Sequence, residues 1–122
     1  METFTKLISY LFHSQIQVHI FHLQTKSFAE HKALNDYYDA IDGLIDGLVE
    51  SYQGKYEILT NYTSFKLDNY VDGQTTITYF EAMAKVIEEE LRKEVTDSYI
   101  QNQIDGVIEL IESTLYKLKN LK

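Results

Sequence analysis

The absence of proline is the feature that most limits what this chain can fold into. Its 122 residues include no proline and only five glycines. Proline removes a backbone donor and breaks helices and central strands, so it collects in turns and loops. A chain without it favours a few long elements joined by short turns. At this length one domain, spanning residues 1–122, is expected.

The chain also contains no cysteine, which excludes disulfides, thiol nucleophiles and thiolate metal sites. The remaining metal ligands are His, Asp and Glu, which favour iron, manganese, imidazole-bound zinc or calcium. A formal charge of −8 disfavours DNA binding, because phosphate contacts need clustered Lys and Arg. No basic leader or apolar run of about 18–20 residues is present, so a cytoplasmic protein without a membrane span is expected.

Helical periodicity in the apolar residues predicts four helices, over about 4–23, 27–54, 78–91 and 97–118. The second and third helices each begin at a capping box, Ser27 with Glu30 and Thr78 with Glu81. The residues predicted to face the core are Phe4, Leu7, Leu11 and Val18; Leu34, Tyr38, Ile41, Ile45, Leu48 and Tyr52; Phe80, Met83, Val86 or Ile87, and Leu91; and Ile100, Ile104, Val107, Ile111, Thr114 or Leu115, and Leu118.

The segment over residues 55–73 mixes turn formers with aromatic and apolar residues, which indicates an ordered crossover with room for a short helix. It is long enough to run the length of the bundle, and this places the second and third helices parallel. Four helices with a long middle crossover form the ferritin-like plan. The sequence therefore predicts an all-α, ferritin-like four-helix bundle.

One flank of the second helix carries polar residues in a regular pattern. At about 100° per residue, five side chains fall on the strip immediately beside the apolar stripe: His31, Asn35, Asp42, Asp46 and Glu50. Carboxylates that border a core are costly unless a cation or hydrogen bonds compensate them. Asp46 and Glu50 are neighbours at i, i+4. Two carboxylates and an imidazole on one edge suit a divalent cation such as Fe²⁺.

Histidines gather at the turn between the first two helices. His19 and His22 lie on one face of the first helix, and a turn of about three residues brings them near His31. H-x-x-H is nevertheless a common pattern, and histidines at helix ends often cap carbonyls. An Asp–Glu pair at i, i+4 is usually a solvated helix face. From the residues alone, these structural interpretations are favoured over metal binding.

The segment HLQTKSFAEH at residues 22–31, followed by Tyr38, Asp46 and Glu50, resembles the ferroxidase segment of the Dps-like miniferritins. That family reads H-W-N-x-x-G, a Phe, a second His and then D-x-x-x-E. The register from His31 to Asp46 and Glu50 matches the family's register without a gap.

Two further stretches extend the likeness. The fourth helix, at 108–118, resembles the family's last helix, with Tyr116 where a Trp is frequent. The chain is also similar to small ferritin-like proteins of phage genomes, which carry H-W-Q-T and Y-Q-G motifs like residues 22–25 and 52–54. A bacterial or phage-infected host cell is the setting that this resemblance implies.

The resemblance implies that Fe²⁺ is oxidised by peroxide or oxygen at the interface of a two-fold homodimer. One subunit would supply histidines and the other the Asp–Glu pair, and a twelve-subunit shell would store the ferric product. His31, Asp46 and Glu50 are then ligands. The first-helix ligand is either His22, which matches the motif, or His19, which matches the family's twelve-residue spacing to His31.

One departure puts the chemistry in question. The family commonly has an Asp one turn after the second His, and this chain has Asn35, a neutral and weaker ligand. Two interpretations therefore stand side by side. The chain is an iron-oxidising miniferritin-like protein, or it is a ferritin-like bundle, of phage origin for example, that has lost the oxidase activity and serves as a structural or interaction protein. DNA compaction, known for some family members, is disfavoured by the charge.

Overall fold

The computed structural model describes all 122 residues and contains four α-helices and no strand. The helices are α1 (Glu2–Gln24), α2 (Phe28–Lys55), α3 (Gly73–Val86) and α4 (Ser98–Asn120), and a five-residue π-helix, Ile87–Leu91, continues α3. The predicted all-α class with four helices is confirmed. None of these helices combines the length and the apolar character that a membrane span needs.

A single cluster of 25 buried hydrophobic residues, drawn from all four helices, fills the space between them. The stripes predicted for α1 and α4 are buried as expected, and Ile87 rather than Val86 is buried at the end of α3. In α2, Tyr38 was predicted for the core but is only partly buried, and it packs against the edge of the cluster. Tyr37 is fully buried beside Phe80, and the Ser14 hydroxyl gives its hydroxyl a hydrogen-bond partner at 2.8 Å.

The crossover at residues 56–72 contains no helix and follows α1 from its first turns to its last. Its backbone amides donate to α1 side chains in rising order: Thr63 to Ser9, Asp68 to Gln17 and Tyr70 to Gln24. At its end, the Thr76 hydroxyl in α3 donates to the Glu30 carboxylate in the first turn of α2 at 2.7 Å. Helices α2 and α3 therefore begin at the same end of the bundle and run parallel.

The start of α2 is where the sequence placed it, but half of the predicted capping box is wrong. The Glu30 amide donates to the Ser27 hydroxyl at 3.2 Å, as a helix N-cap requires. The Glu30 carboxylate, however, does not return to the Ser27 amide, which donates to the Thr25 hydroxyl. That carboxylate accepts instead from the hydroxyls of Thr25, Tyr70 and Thr76, and so ties α1, the crossover and α3 together.

The predicted capping box of Thr78 and Glu81 is wrong, because α3 begins earlier, at Gly73. Asp72 is the N-cap, and its carboxylate accepts from the Thr75 amide at 3.2 Å. The Thr75 hydroxyl accepts in return from the Asp72 amide at 3.1 Å. An aspartate that looks like a turn former thus starts the helix, and the Thr78 and Glu81 side chains lie inside it.

Candidate metal centre

His22 and His31 form a reciprocal pair that joins the end of α1 to the start of α2. The His22 Nδ1 lies 2.7 Å from the His31 carbonyl oxygen, and the His31 Nδ1 lies 2.8 Å from the His22 carbonyl oxygen. A carbonyl oxygen only accepts, so both Nδ1 atoms donate, and neither Nε2 atom makes a hydrogen bond within the chain. The two rings stack with centroids 3.6 Å apart. A hydrogen bond from Nδ1 to a carbonyl oxygen fixes the tautomer of a histidine, both in the structural role considered above and in a metal site.

His19 completes a group of three neighbouring histidines, as their positions in the sequence predicted. Its ring lies 5.8 Å from the His22 ring and stacks on Tyr38 at 4.3 Å. The three side chains differ in accessibility, since His22 is buried, His31 is half-buried and His19 is exposed. His19 is therefore the histidine best placed to meet a group outside the chain.

A groove of about 520 Å³ runs between α1 and α2 beside these histidines. It is lined by Gln15, Ile16, His19, Ile20, Leu23, Tyr38, Asp39 and Asp42. Two of its apolar side chains, Ile16 and Leu23, are 55% and 70% exposed. The groove thus combines imidazole and carboxylate side chains with apolar surface that no part of this chain covers.

Asn35, predicted as a weaker ligand, makes two side-chain hydrogen bonds within the chain. Its Oδ1 accepts from the Tyr38 hydroxyl at 2.8 Å, and its Nδ2 donates to the Asp39 carboxylate at 3.2 Å. An amide oxygen that already accepts a hydrogen bond is a poorer donor to a metal. In this conformation Asn35 supports its neighbours instead of offering a ligand atom of its own.

The carboxylates of the α2 flank point to solvent, which corrects the prediction that they border the core. Asp42, Asp46 and Glu50 are all exposed, because the buried side of α2 extends towards Ala33 and Tyr37, away from this flank, and does not include Tyr38. Gln15 donates to Asp42 at 3.2 Å. None of the ion pairs in the structure involves Asp39, Asp42, Asp46 or Glu50. This row of negative charges has no cationic partner in its own chain.

The two halves of the predicted ligand set lie far apart within one chain. His31 and Asp46 are separated by fifteen residues of continuous helix, a distance of about 22 Å at the α-helical rise. Accordingly, no group of three or more His, Asp or Glu side chains in the chain is placed to hold a metal ion. Metal binding by His22, His31, Asp46 and Glu50, with His19 or Asn35, stays a prediction that requires a second copy.

Sequence reasoning missed Asp39 and assigned Tyr38 to the core. His31, Asn35 and Asp39 follow one another at four-residue steps, so they share one side of α2. That spacing alone could have drawn attention to Asp39. The stack of Tyr38 on His19 could not have been found from sequence, because it depends on how α1 and α2 pack.

The fourth histidine belongs to the bundle and not to this group. His13 Nε2 lies 2.8 Å from the Lys66 carbonyl oxygen and so donates to it, and Nδ1 accepts from the Tyr79 hydroxyl at 3.1 Å. Both ring nitrogens are occupied, so His13 fastens the crossover to α1 and α3.

The fold and the side-chain arrangement define a four-helix protein with a histidine-rich turn and an acidic flank. The chain belongs to the DUF5856 family, a family of unknown function whose model matches residues 22–118. The matched region begins at His22 and includes His31, Asp46 and Glu50, whereas His19 precedes it. The chain matches no curated protein and no solved structure.

Proposed function

We propose that this protein is an iron-binding, miniferritin-like protein that oxidises Fe²⁺ at a His/Asp/Glu site shared between two copies and stores the ferric product. One observation carries the proposal. One end of the α1–α2 pair has three adjacent histidines, of which His19 is exposed, and the exposed Asp46 and Glu50, which have no cationic partner, lie towards the other end.

The path of the chain supports a ferritin-like bundle. The crossover follows α1 through the hydrogen bonds at Ser9, Gln17 and Gln24, and α3 begins beside the first turn of α2. A long connection that leaves two successive helices parallel is the connection found in ferritin-like folds.

A two-fold related copy would bring the separated ligands together. Turning the α1–α2 pair end over end places the partner's acidic end opposite this chain's histidine end, and the reverse holds by symmetry. The same contact would bury exposed apolar side chains of α1, among them Phe12, Ile16 and Leu23. Burial of apolar area contributes about 25 cal/mol per Å², so the face has a reason to pair even without metal.

The donor set fits the chemistry of Fe²⁺ as substrate. Neutral imidazole nitrogens and carboxylate oxygens suit a borderline divalent cation, and negative charge favours the ferric product. Hydrogen peroxide takes one electron from each of two Fe²⁺ ions and, with two protons, is reduced to two waters. The exposed carboxylates along α2 would also raise the local concentration of the cation.

Iron oxidation can be measured directly from the ferric absorbance after Fe²⁺ and peroxide are added to the protein. We expect a rising signal in the wild type and none above the protein-free rate in an Asp46→Ala/Glu50→Ala variant. Asp36→Ala is the matched control, because Asp36 lies on α2 towards α4, where it pairs with Lys117 at 3.7 Å. No ferric signal in the wild type, and no change in Tm with Fe²⁺ or Zn²⁺, would contradict the proposal.

A second function is favoured by Asn35 alone. If the amide that replaces the family's carboxylate has removed the oxidase activity, the bundle serves as a structural or interaction protein. Gel filtration bears on both functions, since a monomer cannot assemble a site that is divided between subunits. A stable oligomer that binds neither Fe²⁺ nor Zn²⁺ would favour this second function.

A further inference from the structure

His31 is followed on one side of α2 by two further polar residues, at four-residue steps. Asn35 and Asp39 lie one and two turns beyond His31 on that side. Asn35 is held at both ends of its amide, by the Tyr38 hydroxyl at 2.8 Å and by Asp39 at 3.2 Å. The Asn35 amide is thus held in one orientation, with its N–H directed at the Asp39 carboxylate.

The Asp39 carboxylate is accessible and only partly occupied by hydrogen bonds. Its side chain is exposed, its Oδ2 accepts the Asn35 hydrogen bond, and no hydrogen bond or ion pair occupies its Oδ1. It lines the same groove as His19, whose ring nitrogens make no hydrogen bond within the chain. The Tyr38 ring, stacked on His19 at 4.3 Å, holds that imidazole beside the groove.

We infer that Asp39 supplies the carboxylate that position 35 lacks, and that Asp39 and His19 hold the metal on this chain's side of the groove. Asn35 is a positioning residue, because its N–H fixes Asp39 through Oδ2 and leaves Oδ1 for the metal. Hydrogen bonds of this kind orient ligating carboxylates in metal sites. The inference rests on the proposed function and assigns to its site a ligand that the family resemblance does not.

The test is Co²⁺ binding to the full-length protein, measured by titration calorimetry and by the visible absorption of the bound ion. Asp39→Asn should weaken Co²⁺ affinity by about 10–100-fold and change the visible spectrum, by analogy with losses at metal sites. Asp36→Asn, on the α4 side of the same helix, should leave both unchanged. Asn35→Ala should weaken affinity to a smaller degree and keep the spectrum, because the ligand set stays the same.

A rescue variant separates ligation from folding. Asn35→Asp combined with Asp39→Asn returns a carboxylate to the family's position, so affinity should recover most of the loss. Wild-type protein that binds Co²⁺ while Asp39→Asn binds it equally well would overturn the role of Asp39 and leave the proposed function intact. Wild-type protein that binds no Co²⁺ would overturn both.

Discussion

The two faces of α2 differ in how their polar groups are satisfied. On the inward face, five residues have at most 1% of their surface exposed: Leu34, Tyr37, Ile41, Ile45 and Leu48. The one polar atom among them, the Tyr37 hydroxyl, has Ser14 as a partner. On the outward face, four carboxylates are exposed without a cation: Asp39, Asp42, Asp46 and Glu50.

The inward face of α2 stabilises the fold, whereas the outward face carries the carboxylates of the proposed site. The inward face gains free energy from apolar burial and leaves no polar atom unpaired. The outward face places carboxylates at i, i+4 steps, an arrangement that destabilises a helix when nothing neutralises it. These carboxylates have no cationic partner in the chain, and the proposed function gives them one in Fe²⁺.

The largest effect on stability is expected from the inward face. Ile41→Ala should lower the free energy of unfolding by about 2–5 kcal/mol, because it removes buried methyl groups and leaves a cavity. Urea unfolding followed by circular dichroism measures the loss. The Co²⁺ affinity of the folded fraction should stay unchanged, and a loss below about 1 kcal/mol would show that this face is less well packed than the structure indicates.

Tyr37→Phe tests the single polar atom of the inward face. Loss of the hydroxyl should cost about 1 kcal/mol at neutral pH, the usual net contribution of a buried hydrogen bond. The cost stays at that level because the Ser14 hydroxyl keeps its own bond to the Leu11 carbonyl oxygen at 2.7 Å. Urea unfolding at pH 7 measures it, and an unchanged or higher stability would contradict the assignment.

Alkaline pH provides a second test of Tyr37. Burial raises the pKa of Tyr37 well above its ordinary value of 10.0. Because the unfolded chain then releases this proton at a lower pH than the folded chain, stability should be intact below about pH 10 and fall as the pH rises further. The fall should be shallower in Tyr37→Phe than in the wild type, and equal slopes would count against a buried, neutral Tyr37.

The smallest change in the free energy of unfolding is expected from the outward face, where a substitution should raise stability instead of lowering it. Asp46→Asn removes like-charge repulsion with Asp42 and Glu50, so the metal-free protein should gain about 0.2–0.5 kcal/mol. Added Co²⁺ should reverse the order of Tm values, because only the wild type keeps its ligand. Asp36→Asn, which loses the pair with Lys117, should show neither the gain nor the reversal. An Asp46→Asn variant that is destabilised without metal would contradict the contrast between the faces.

Much of the fold was predictable because it depends on apolar spacing. The stripes of α1 and α4 and the parallel course of α2 and α3 follow from periodicity and from the length of the crossover. The choice between Tyr37 and Tyr38 was not predictable, since adjacent aromatic residues fit the period equally well and the partners of Tyr37, Ser14 and Phe80, lie on other helices. The start of α3 was missed because Asp72 caps a helix with residues that also suit a turn.

The candidate site was predictable only in part. The gathering of His19, His22 and His31 followed from a short turn, and the reciprocal bonds between His22 and His31 did not. Those bonds join side chains to carbonyl groups across two helices, and sequence periodicity carries no information about them. Asp39 was missed because its importance depends on where the Asn35 amide points.

Subunit complementation is the most direct measurement of the claim that the outward faces of two copies form one iron-oxidising site. His19→Asn/His31→Asn removes ligand nitrogens while the new amide at position 31 can still donate to the His22 carbonyl oxygen, and Asp46→Asn/Glu50→Gln removes the opposite half. Each variant alone should give no ferric absorbance above the protein-free rate.

After the two variants are unfolded and refolded together, random pairing should restore about a quarter of the wild-type sites, since each mixed dimer regains one intact site. Recovery of that order in the mixture, with none in either variant, is the predicted result. A mixture as inactive as its components, although mixed dimers form, would contradict a site shared between subunits.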